Sequence, residues 1–232
     1  MEPTSNKSQG RWWKIAFYAV LTLLAIFLVA FSFYVLDLIK ERGGKTLDGN
    51  KILTQLEQYK TNADNETITG TDNYWLGAAK PKVTIVEFAD FNCPYCLNSF
   101  PNIREISLKY KDSVKIIFRD FPVRENSSSL ALAGRCAGEQ GLFWVMHDKL
   151  YANQGKFEIS QLPELANQIG ADVGKFTNCL NSEKYLGKIN KDYADGKSMG
   201  ITGTPTWFIN GYKIEGDIPR DLFIQIVEEL NK

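Results

Sequence analysis

The stretch Val83-Thr84-Ile85-Val86-Glu87-Phe88-Ala89 is an almost unbroken apolar, β-branched run rather than an alternating one. A strand that shows neither face to water reads this way, so the run predicts a central strand. The chain beyond it narrows the fold. Residues 94–110 read as a helix, Val114-Lys115-Ile116-Ile117-Phe118 as a second strand, and about 126–200 as a helical block. Thr206-Trp207-Phe208-Ile209, the turn pair Asn210-Gly211 and Tyr212-Lys213-Ile214 predict a tight β-hairpin. Pro219 opens a closing amphipathic helix with Leu222, Phe223, Ile226 and Leu230 on one face. The order β-α-β, helical block, β-β-α predicts an α/β domain: a mixed central sheet flanked by helices, with a helical insertion at about 126–200.

Ahead of this domain, every residue from Ile15 to Leu36 is apolar or aromatic except Thr22 and Ser32. A helix of that length covers roughly 33 Å, enough for a ~30 Å hydrocarbon core, and is expected to be one N-terminal transmembrane helix. Trp12, Trp13 and Tyr34 stand where an interfacial belt would be, with Arg11 and Lys14 before the run and Lys40 and Arg42 after it. The rival reading is a cleaved signal peptide ending near Ala30-Phe31-Ser32, but the apolar run continues past that point. Basic residues are similar in number on both sides, so charge alone leaves the orientation open. Residues 37–73 are polar and read as a spacer, with a short amphipathic stretch at Ile52, Leu53, Leu56 and Tyr59. The expected division is a cytoplasmic tail over 1–14, the span over 15–36, the spacer over 37–73 and one domain over 74–232.

The 27 basic and 27 acidic side chains balance, so nothing offers the broad positive field that nucleic acid requires. There is one histidine, His147, which argues against a histidine-rich metal site or a Ser-His-Asp hydrolase. Four cysteines remain as the obvious nucleophiles. Two of them form Cys93-Pro94-Tyr95-Cys96 at the junction of the central strand and its helix. There the free N–H groups and dipole of the helix N-terminus favour a thiolate, which marks Cys93 as an exposed nucleophile. Pro94 fits the first helical position, and Cys96 lies one turn on, placed to resolve a mixed disulfide. Half of a zinc site and a pair of structural cysteines are the other readings. Zinc would need two more ligands, and Cys136 and Cys179 lack the paired spacing.

The run from Val83 through Cys96 resembles the active-site strand and helix of DsbA-like proteins of thioredoxin fold. The resemblance extends over about Gly77 to Lys232, through Arg119-Asp120-Phe121-Pro122, the segment from Cys136-Ala137 by Phe143-Trp144 to His147-Asp148, and Gly203-Thr204-Pro205-Thr206. It implies a thioredoxin fold with a helical insertion, and exchange of disulfides with other proteins. Glu87, a carboxylate on an apolar strand six residues before Cys93, would by resemblance accept and return the Cys96 proton, its pKa raised by burial. Thr204-Pro205 matches the family's cis-proline loop beside the cysteines, which exposes backbone groups to an extended substrate. Cys136 and Cys179 match a second, structural disulfide found in the insertion of some relatives; two buried free thiols are the alternative. Pro101 matches a helix-kink position. His147 reads as a packed residue rather than a ligand, and Arg119 either as a neighbour of the site or as a strand-end ion-pair partner.

The expected activity is that of a membrane-anchored thiol–disulfide oxidoreductase, a disulfide oxidase or isomerase, needing no cofactor and no metal. Its expected partners are exported proteins with cysteines, the membrane, and a quinone-linked membrane oxidase of DsbB or VKOR type as re-oxidant, with no nucleic acid. The expected location is the cell membrane, single-pass, with the catalytic domain extracytoplasmic, because an oxidising compartment suits the disulfides. A reductase or isomerase of the same fold, and a non-catalytic adaptor or metal carrier, are the alternatives.

Overall fold

The computed structural model describes the backbone of residues 7–42 and 49–232; within the first helix it describes the side chains of 13–14, 17–18 and 20–35. The chain divides into two compact units, Met1–Thr46 and Leu47–Lys232. The first holds one helix, α1 (Lys7–Arg42). Its described apolar side chains are open rather than packed, with Phe27 65% and Phe33 69% exposed. Among the described residues no helix is long and apolar enough to cross a membrane. The described residues therefore do not support the expected span over 15–36. The start of the expected tail (1–6), residues 43–48 of the expected spacer, and the flanking side chains of Arg11, Trp12, Lys40 and Arg42 lie outside the described residues.

In the second unit β1 (Trp75–Gly77), β2 (Val83–Ala89), β3 (Val114–Asp120), β4 (Thr206–Ile209) and β5 (Tyr212–Glu215) form one sheet in the order β1-β3-β2-β4-β5. The apolar run at 83–89 is its middle strand, parallel to β3 and antiparallel to β4. Its burial follows from that place, since both faces are covered. Val83 and Ile85 on one face pack against Ile103 and Ile106 of α4 (Pro94–Lys109) and against Phe223, Ile226 and Val227 of α10 (Arg220–Leu230). Val86 and Phe88 on the other meet Ile117, Phe121 and Phe208. The hairpin turns as expected: Asn210 (φ 48) and Gly211 (φ 86) both take positive φ, the requirement of a two-residue turn matching strand twist.

The block at 126–200 is helical: α5 (Ser127–Gly138), α6 (Phe143–Ala152), α7 (Leu162–Gln168), α8 (Val173–Asn181) and α9 (Leu186–Ser198). Phe143, Met146, Leu150, Leu165 and Phe176 from these helices close one core with Phe91 and Phe118 of the sheet side. Cys93 and Cys96 lie within this same core.

The expected spacer is corrected over its described part. It holds α2 (Gly49–Glu57) and α3 (Asn65–Thr69), and Ile52 and Leu56 are buried against α10 and the sheet while Ile68 joins the opposite core. Residues 59–61 then run beside β5, with Lys213 N–H donating to Tyr59 O at 2.7 Å and Thr61 N–H to Gly211 O at 3.1 Å. The second unit therefore begins near 47 rather than 74. Each buried Ile or Leu contributes ~1.5–3 kcal/mol, enough to hold a polar segment that carries only a few of them.

Candidate active site

The end of β2 leads through Asp90-Phe91-Asn92 into Cys93, which caps α4 with extended backbone (φ −88, ψ 123) while Pro94 takes the first turn. Cys93 N–H donates to Asp90 O at 3.0 Å and Cys93 O accepts from Leu97 N–H at 3.1 Å, so the nucleophile's backbone already belongs to the helix. Antiparallel pairing of Phe88 with Thr206 brings the start of β4 to the same end of the sheet. The Thr204–Pro205 bond preceding it is cis. The Cys93 thiol donates to Thr204 O at 3.2 Å, and the hydroxyl of Thr206 holds the loop by donating to Gly203 O at 2.8 Å. The geometry thus gathers Cys93, Cys96, Thr204 and Pro205 in one place.

Cys93 and Cys96 are both free thiols. Cys93 is only 2% exposed, which corrects the expectation of an open nucleophile: the loop before α4, the cis-proline loop and the insertion enclose it. Its pKa is lowered to about 5, first by the hydrogen bond from Cys96 and further by the side chain of Thr204, as distinct from its carbonyl, and by the N–H groups of Cys96 and Tyr95, against the effect of burial. Burial drives Cys96 the other way, well above the ordinary thiol value, and the hydrogen bond to Cys93 adds to it. One thiol is therefore ionised at neutral pH and its neighbour stays protonated.

Glu87 lies on β2 between Phe118 of β3 and Trp207 of β4, 1% exposed. Burial, and secondarily the charge of Cys93, raise its carboxyl to about 8. Its Oε1 has no hydrogen-bond partner. A proton-holding acid of this kind close to a thiol pair is equipped to exchange a proton with it.

Three supporting residues escaped the sequence. The buried carboxylate of Asp90 accepts from the N–H groups of Asn92 (2.7 Å), Val123 (2.8 Å) and Arg124 (3.1 Å) and from the Ser127 hydroxyl (2.5 Å), tying the loop before Cys93 to the chain entering α5. Gln154 donates to Phe91 O at 2.9 Å and Cys93 O at 3.1 Å. Tyr151 is buried in the core around the thiols. An Asp closing a strand two residues before an N–H it can bond was the available signal for the first; the other two carried none.

The remaining expectations fall elsewhere. Cys136 and Cys179 are joined (S–S 2.02 Å, Cα–Cα 5.7 Å), linking α5 to α8. Arg119 belongs to a buried ionic network: it donates to Asp192 at 2.7 Å, Asp195 at 2.6 Å and the carbonyls of Thr67 and Ile68, while Arg135 joins Asp120 to Asp192. His147 is packed among Phe91, Phe118, Trp144 and Tyr151. Pro101 lies inside α4. No cluster of three or more potential metal ligands occurs among the described residues.

A family profile described as Thioredoxin matches residues 69–229. Among solved structures the fold is similar to oxidised BdbD from Bacillus subtilis, with 26% identity and a TM-score of 0.62 over 75% of this chain and 98% of that one. It is similar also to the thiol-disulfide exchange protein alpha-DsbA2 from Wolbachia pipientis, with 22% identity and a TM-score of 0.65 over 78% and 97%. The Na(+)/H(+) antiporter NhaA 3 of Salinispora tropica is 36% identical over 143 residues, which are 60% of this chain and 22% of the antiporter. The chain thus spans about a fifth of the length of the curated relatives it matches. On its sheet order, its cysteine pair at a helix cap and the match across most of its length, the chain belongs to the thioredoxin family.

Proposed function

We propose that the chain is a membrane-tethered oxidase that puts disulfides into exported proteins, acting outside the cytoplasm. The observation that carries the reading is the split between the two thiols. A Cys93 held near 5 beside a Cys96 held far above the ordinary value makes the reduced pair stable, and hence the disulfide a strong oxidant.

In the oxidised enzyme a client thiolate attacks the Cys93 sulfur. The Cys93–Cys96 bond breaks, and Cys96 leaves with the electron pair and takes a proton from Glu87. A second client thiolate then attacks the client sulfur and releases Cys93 as a thiolate. The client has lost two electrons and gained a disulfide. Extended client chain pairs with the backbone at Thr204, beside Pro205. For re-oxidation Cys93 attacks a disulfide of a quinone-linked membrane partner of DsbB or VKOR type, and Cys96 gives its proton to Glu87 and re-forms the bond, leaving the electrons on that partner. Once Cys93 is bonded its charge no longer raises Glu87, so the carboxyl is then readier to act as the base.

Tethering is supported by the apolar run at 15–36, by the openness of the described α1 side chains, and by similarity to chains named as antiporters.

The test is a pair of substitutions with a potential. Cys93→Ser should abolish exchange, and Cys96→Ser should accumulate client complexes released by dithiothreitol. Equilibration with glutathione should place the pair above roughly −200 mV. A potential near −270 mV would make the protein a reductase instead, and trapping by Cys93→Ser but not Cys96→Ser would reverse the two roles.

A further inference from the structure

The proposed proton exchange between Glu87 and Cys96 leaves open how that proton reaches solvent from a carboxyl that is 1% exposed. Glu87 Oε1 is one of a few buried side-chain atoms without a hydrogen-bond partner, and two others, His147 Nε2 and the Tyr151 hydroxyl, sit one helical turn apart on α6. An orphaned polar atom costs ~1–3 kcal/mol unless water or a transient partner satisfies it, so three near one redox pair call for a shared reason.

Their surroundings form a thread. The Tyr151 ring packs edge-on against His147 at 4.9 Å and tilted against Phe91 at 5.1 Å, and its hydroxyl is within electrostatic reach of Cys96 and Glu87. His147 stands perpendicular on Phe118 at 5.3 Å, and Phe118 is the residue that pairs with Glu87 in the parallel register. The other imidazole nitrogen, Nδ1, lies 2.9 Å from Asp148 Oδ1. Asp148 is 35% exposed, and its second oxygen meets Arg104 of α4 at 2.9 Å. One nitrogen of His147 thus addresses a carboxylate in contact with solvent, while the other lies in the core that holds the thiols.

We propose that His147 relays the proton of the Cys96–Glu87 pair to solvent, through the Tyr151 hydroxyl and internal water on the inner side and Asp148 on the outer. The proposal rests on the role given above to Glu87. When Cys96 has passed its proton to Glu87, one proton enters the imidazole at Nε2 and another leaves from Nδ1 to Asp148 and then to solvent. The ring stays neutral overall, and the return stroke reverses each transfer. Only a neutral imidazole is donor at one nitrogen and acceptor at the other. Burial keeps His147 in that form, against the pull of Asp148 and with the help of Arg104. The other titratable groups facing the thread are Cys93 at the cap of α4, Cys96 of α4, Asp90, and Tyr151 of α6.

Stopped-flow measurement on the full chain, with glutathione linked to Cys93, isolates the step in which Cys96 re-forms the disulfide. His147→Ala should slow that step about tenfold near neutral pH, while attack of Cys93 on glutathione disulfide keeps its rate. Added imidazole should restore the slow step; pyrrole, which has the same shape and no acceptor nitrogen, should not. An unchanged rate, or equal restoration by both, would overturn the relay. Should His147→Ala fail to fold, Asp148→Asn at the half-open outer end should slow the same step severalfold with its melting temperature kept, and an unchanged rate there overturns the relay too. Glu87→Gln separates the two readings: if it leaves the step untouched the role of Glu87 fails, and if it slows the step while His147→Ala does not, only the relay fails.

Discussion

Glu87 is the residue at which folding and chemistry oppose each other. Its carboxyl is raised to about 8 in the folded protein from an ordinary 4.5. Above ~4.5 the unfolded chain has released a proton that the folded one keeps, so stability falls as pH rises from there to about 8. Glu87→Gln has no such loss. In the reduced protein it should match the parent near pH 4.5 and exceed it by roughly 3 kcal/mol at pH 7, read from urea unfolding at a series of pH values. A gap that does not widen with pH would mean that the carboxyl is not held protonated. The residue was legible in the sequence because a charge among Val83, Ile85 and Ala89 breaks a local pattern, and Cys93 to Cys96 because the motif is contiguous. Asp90 showed only its local bond to Asn92, and Gln154 showed nothing, because the distant groups they hold lie 33 and 61 residues away in the chain. No local pattern records such a partner.

Among the elements, those with a strong period were readable: the continuous run of β2, the two strands around Asn210-Gly211, and the apolar stripe of α10. β1 was missed, being three residues at the sheet edge with the burial of a loop. It is marked instead by Gly77 at φ 90, where a side chain would strike Val114 O. α2 and α3 were hidden by polar composition, and only their packing shows that they belong to the domain. Beside the apolar core, the joint between sheet and insertion has an ionic part. Asp192 of α9, fully buried, receives Arg119 of β3, Arg135 of α5 and Lys188 of its own helix. Asp192→Ala leaves these cations short of a partner in the interior and should cost about 3 kcal/mol or more, whereas an exposed ion pair such as Lys109 with Glu228 should cost under ~1 kcal/mol. Chemical denaturation of the two variants side by side checks the contrast.

At the scale of the whole molecule the proposed tether makes a prediction about topology. The proposed tether places the N-terminus inside and the domain outside. Alkaline phosphatase fused after Lys232 should therefore be active in a bacterial host, and a reporter that works only in the cytoplasm should be silent at the same point; the opposite pattern would place the domain inside. The covalent link from α5 to α8 bears on how such a chain comes to exist. The two pairs available, 93 with 96 and 136 with 179, each join cysteines that are neighbours in order along the sequence. A polypeptide oxidised as it emerges, thiol by thiol, arrives at this arrangement without reshuffling. Every new copy needs an oxidant to crosslink its own insertion, so its maturation depends on the same chemistry that is proposed for the finished domain.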